Sequence, residues 1–87
     1  MNTEELMNGY TQYVSTLRVS RMTKQRFLAT AKYRLLPALT PSQIIEMDVY
    51  DIAELINKGL GNSTTTIQHC RYYIKEFKHY LTGVCAA

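Results

Sequence analysis

Tryptophan is absent from this chain, and cysteine, proline, glycine and acidic residues are scarce. Each shortage removes a class of protein. Two cysteines in 87 residues are too few for a disulfide scaffold. Cys70 is expected in the core as a small hydrophobe, and Cys85 in a frayed tail. His69 and Cys70 are neighbours on a helical pattern and point ~100° apart, which argues against joint metal ligation. No metal site and no cofactor is expected. Two prolines and four glycines exclude collagenous and low-complexity chains. No apolar run approaches the ~20 residues of a membrane span, so no membrane partner is expected. The start, Met1-Asn2-Thr3-Glu4-Glu5, lacks the basic-then-apolar order of a signal peptide. A soluble, cytoplasmic protein is expected.

Apolar residues make up 46% of the chain, enough for one small domain over residues 1–87. They recur with helical rather than alternating period. Leu6, Tyr10, Tyr13, Val14 and Leu17 predict a first helix over about 4–17, capped by Asn2 or Thr3, with Gly9 marking a close approach or a bend. Phe27, Leu28, Ala31 and Leu35 predict a second helix over about 23–36, started by Ser20 or Thr23 and stopped by Pro37. The stretch 37–47 reads as a link broken by Thr40-Pro41-Ser42. Asp48 caps a third helix over about 49–58, with Val49, Ile52, Ala53 and Ile56 inside and Asp51 and Glu54 outside. Gly59 to Ser63 form a turn and cap. A fourth helix then runs over about 64–82, with Ile67, Cys70, Ile74, Phe77 and Leu81 on its inner stripe. The expected fold class is all-α, a compact four-helix bundle.

Charge is distributed unevenly. Arg18, Arg21, Lys24, Arg26, Lys32 and Arg34 form a basic stretch without an acid. Glu46, Asp48, Asp51 and Glu54 form an acidic stretch without a base. Lys58, Arg71, Lys75 and Lys78 restore a basic balance against Glu76. The second and fourth helices are therefore basic and the third acidic, a polarity that suits a polyanion on one face. The bland alternative is a set of solvated helix faces. On the fourth helix the outer row is Gln68, Tyr72, Lys75 and His79. Gln and Lys carry donors for base edges or phosphates, and Arg71 and Lys78 flank the row. Ser63, Thr64 and Thr65 offer hydroxyls and free N–H groups to an anion at the helix start.

The run Gly59-Leu60-Gly61-Asn62-Ser63-Thr64-Thr65-Thr66-Ile67, followed by Arg71 and then Lys75-Glu76-Phe77-Lys78-His79-Tyr80-Leu81, resembles the last helix of the core-binding domain of tyrosine recombinases and phage integrases. Ser20-Arg21-Met22-Thr23 with Phe27 resembles the start of that family's second helix, and Ile45 to Val49 the start of its third. The resemblance covers roughly residues 10 to 82. It implies a SAM-like domain that grips duplex DNA near the crossover site through its second and fourth helices. The implied contacts are Arg21, Thr23, Lys24, Arg26, Lys32, Arg34, Ser63, Thr64, Thr65, Gln68, Arg71, Tyr72, Lys75, Lys78 and His79. The implied partners are double-stranded DNA, a catalytic domain of the same full-length protein and other protomers on DNA. The implied origin is a bacterium, phage or mobile element.

An enzyme is not expected from this chain alone. A nucleophilic tyrosine needs cationic neighbours, and the family's His-x-x-Arg pair has no match here. His69 and His79 are ten positions apart, ~15 Å along one helix. The competing reading is a protein-interaction bundle that uses the acidic third helix or a tyrosine patch.

Overall fold

The computed structural model describes residues 2–58 and 64–86, with side chains over 2–58 and 67–84. The proposed turn and cap at Gly59 to Ser63, and the side chains of Thr64 and Thr65, lie outside the described residues. The chain is 81% helical with no strand among the described residues. There are five helices among them rather than four: α1 Thr3–Ser15, α2 Arg21–Thr30, α3 Pro41–Glu46, α4 Val49–Asn57 and α5 Thr64–Ala86. A π turn over Ala31–Leu35 continues α2.

Local chemistry sets each start. Asn2 accepts from the Glu5 N–H at 2.8 Å, Ser20 from the Thr23 N–H at 3.2 Å, and Asp48 from the Tyr50 N–H at 2.7 Å, each satisfying a donor left free at a helix N-terminus. The second helix thus begins at Arg21, two residues before its expected start. The stretch 37–47 is not a plain link. Thr40 and Gln43 form a reciprocal capping box around Pro41 at the first helical position, which makes 41–46 a helix. Its C-terminal side is closed from afar: the Lys78 ammonium donates to the carbonyls of Ile44 at 3.1 Å, Ile45 at 2.5 Å and Met47.

α5 is the spine. At 23 residues it is ~34 Å long, matching the 35 Å long dimension of the molecule. Cys70, Ile74, Phe77 and Leu81 are buried and Ile67 is half-buried, as the stripe predicts. The helix continues to Ala86 and so includes Cys85. Fifteen helical positions put Cys70 and Cys85 ~22 Å apart, far beyond disulfide reach; Cys70 is a free, buried thiol.

α1 packs on the C-terminal half of α5 through aromatic rings. Tyr10 meets Phe77 edge-on at 4.7 Å and Tyr80 at 5.1 Å, both within the 4.5–7 Å range of favourable aromatic pairs. Gly9 is the close approach: a methyl there would collide with the Tyr80 hydroxyl, which donates to the Leu6 carbonyl at 3.3 Å. α2 packs on the N-terminal half, where Phe27 meets Tyr73 at 5.1 Å and an interplanar angle of 80°. α3 and α4 take the opposite flank of α5, with Ile44, Ile52 and Ala53 buried.

Candidate nucleic-acid interface

With its inner stripe buried, α5 presents Gln68, Tyr72, Lys75 and His79 to solvent. These are the four residues expected on the outer row. Tyr72 leans towards α2, its ring centroid 5.1 Å from Phe27, yet it remains 45% exposed. The ridge it forms separates two clefts.

The cleft on the α2 side is lined by Arg26, Thr30, Arg34, His69, Cys70 and Tyr73. It holds two guanidiniums and an imidazole and no carboxylate. The cleft on the α4 side includes Asp48, Tyr50, Arg71, Tyr72, Lys75 and His79 in its lining. Here the Arg71 guanidinium lies over the Tyr50 ring, 4.6 Å from its centroid, as a cation does on an aromatic face. The Arg71 Nε is buried without a hydrogen-bond partner. Lys75 and His69 stand six positions apart, ~120° around α5, so the two clefts flank one convex ridge.

The expected contact residues are therefore sorted into different environments. Arg26 and Arg34 adjoin α5. Lys24 turns towards α1, its ammonium donating to the Ser15 carbonyl at 3.1 Å. The Thr23 hydroxyl pairs with that of Ser20 at 2.9 Å. Lys32 lies 5.4 Å from the Tyr33 ring centroid and lines neither cleft; Arg21 is exposed at the start of α2. Lys78 departs most from expectation. An ammonium has three donors, and two α3 carbonyls and that of Met47 just after it accept from this one, so its role in this fold is to hold α3 and not to face outward. Thr30, His69 and Tyr73 were not among the expected contacts. The signal for Thr30 was present, since it lies one turn after Arg26 on the same helix face.

Two tyrosines of the α1–α5 seam, Tyr10 and Tyr13, are held in their neutral form. Burial, then hydrogen bonding and the charge of Glu76, pushes Tyr13 up to about 12; its hydroxyl donates to Glu76 at 2.9 Å. Burial first, then the charge of Glu76, raises Tyr10 still further. Activation of a tyrosine as a nucleophile requires the opposite shift. Among the described residues no three metal-binding side chains cluster, and no helix is long and apolar enough to cross a membrane.

Compared with protein-family models, curated proteins and solved structures, the chain gives no match.

Proposed function

We propose that this domain is a DNA-binding module of the tyrosine recombinase or phage integrase type, with a SAM-like arrangement of its helices. It grips duplex DNA near a crossover site through α2 and α5 and carries no catalytic group of its own. In the full-length protein a catalytic domain takes the other side of the duplex. The observation that supports this reading most is the adjacency of Arg26 and Arg34 to the exposed ridge of α5. Basic residues separated by more than thirty positions in sequence thereby contribute to one side of the molecule. The acids Asp51 and Glu54 are exposed on α4, where they would repel a polyanion brought against that helix.

Backbone amide shifts recorded while a duplex is titrated in test the reading. Perturbations on α2 and α5 that spare Asp51 and Glu54 are expected. Perturbations confined to α4, or none at all, would contradict it. Lys75→Glu should weaken duplex binding by about tenfold or more while leaving thermal stability unchanged, because this exposed side chain supports no packing.

One observation favours a second reading, a protein-interaction surface on α4. Tyr50 is 64% exposed and Leu55 45% exposed, beside the exposed Asp51 and Glu54. An exposed ring and an exposed aliphatic chain next to acids suit a basic, partly apolar protein partner. The same titration separates the readings, since that partner would perturb α4 and DNA would not.

A further inference from the structure

The π turn alters which residues line the α2–α5 cleft. In an uninterrupted α-helix, eight positions advance the side chain by ~80° beyond two full turns, so Arg34 would stand well off the line of Arg26. A π turn takes up one extra residue. Here the Leu36 N–H reaches back five positions to the Ala31 carbonyl at 3.0 Å. If the extra residue is fully absorbed, eight positions do the angular work of seven, and the offset falls to ~20°. Arg26, Thr30 and Arg34 then form one stripe, facing His69 and Tyr73 one turn apart on α5.

Every polar side chain in this cleft can donate a hydrogen bond. Two guanidiniums supply planar forks suited to tetrahedral oxyanions, and a hydroxyl, an imidazole and a phenol complete the set. The cleft measures about 310 Å³, at the low end of the ~300–1,000 Å³ of small-ligand sites. That size suits a single charged group and not an extended polymer. No carboxylate competes for the arginines within it.

We infer that the α2–α5 cleft is a discrete receptor for one phosphate group, with Arg26 and Arg34 as its paired ligands, brought onto one line by the π turn. The inference is separable from the proposed function: the phosphate belongs either to a nucleic-acid backbone or to a free phosphoryl compound.

The test is a titration followed through the His69 ring and the Thr30 and Tyr73 amides. Inorganic phosphate, dimethyl phosphate and a short duplex are added in separate arms, with sodium chloride holding ionic strength constant. Saturable shifts at these three residues are expected with inorganic phosphate, and the double variant R26Q/R34Q should weaken that affinity at least about tenfold. Because both arginines sit at the surface of the cleft, the thermal midpoint of R26Q/R34Q, measured alongside, should stay near that of the parent. Shifts with the diester and duplex as well identify a backbone phosphate; shifts with inorganic phosphate alone identify a free phosphoryl ligand. Shifts that chloride reproduces, or a folded R26Q/R34Q that binds phosphate unchanged, would overturn the receptor. Duplex and phosphate binding that both survive in R26Q/R34Q would overturn the receptor and leave the DNA-binding reading intact. Phosphate binding without any duplex binding would do the reverse.

Discussion

At the scale of single residues, Lys78 departs most from its sequence context. It lies within a basic run and reads as a surface cation, yet its ammonium caps α3 across a gap of more than thirty positions. Charge-assisted hydrogen bonds of this kind contribute ~1.5–3 kcal/mol. Lys78→Met should therefore lower unfolding free energy by about that amount in a urea titration, with α3 amides losing exchange protection first. Gly9 makes a comparable case. Alanine there gains ~1 kcal/mol of helix propensity but drives a methyl into Tyr80, so Gly9→Ala should destabilise by about 1–3 kcal/mol net, read as a lower thermal midpoint. The Tyr10 hydroxyl is buried without a partner, a cost that Tyr10→Phe removes. That variant should be as stable as the parent or more so. Alkaline pH acts on the same seam. Tyr13 titrates at about 12 in the fold against 10.0 when free, and Tyr10 higher still. The unfolded chain therefore loses these protons first as pH rises. The stability they contribute is complete below pH ~10 and falls progressively above it. A denaturation series across that range should show the decline, and Tyr10→Phe should make it shallower.

At the scale of elements, legibility in the sequence follows from how local each determinant is. The stripes of α1, α4 and α5 and the caps Asn2, Ser20 and Asp48 are set within one or two turns, and the structure has them where expected, except that α1 ends at Ser15 and leaves Leu17 beyond it. Helix α3 was readable too. Thr40-Pro41-Ser42-Gln43 is a capping-box sequence with proline at the first position, but the surrounding turn residues made it look like a break. Its far end was not readable, because Lys78 closes it from another helix. The π turn is a third kind of case. Nothing in the order Ala31-Lys32-Tyr33-Arg34-Leu35 announces it, although Pro37, which has no N–H to carry the helix on, follows two residues later. A π turn behaves as a one-residue insertion, so deleting the exposed Tyr33 should be absorbed at a cost of about 1–2 kcal/mol. Deleting the exposed Gln12 from α1, where no π turn can absorb the shift, should rotate Leu6 and Tyr10 by ~100° against Val14 and abolish folding. Circular dichroism on the two deletions distinguishes these outcomes.

At the scale of the whole molecule, the polarity of charge along the chain becomes a polarity of faces. α5 carries the exposed ridge, α2 brings Arg26 and Arg34 against one side of it, and α4 carries the exposed acids on the other flank. The candidate site was legible as a ridge, through Gln68, Tyr72, Lys75 and His79. It was not legible as a cleft, because side chains on facing helices meet only once the helices pack. The cations that turn towards α1, α3 or their own helix would also have been counted as contacts from sequence alone.

The central claim is that this ridge and its neighbouring cations hold the phosphates of a duplex, and the salt dependence of binding tests it most directly. With about four to six phosphates neutralised, log K should fall with log salt at a slope near −4 to −5 when a labelled duplex is titrated at two sodium chloride concentrations. A slope near zero, or no binding at the lower salt, would contradict the account.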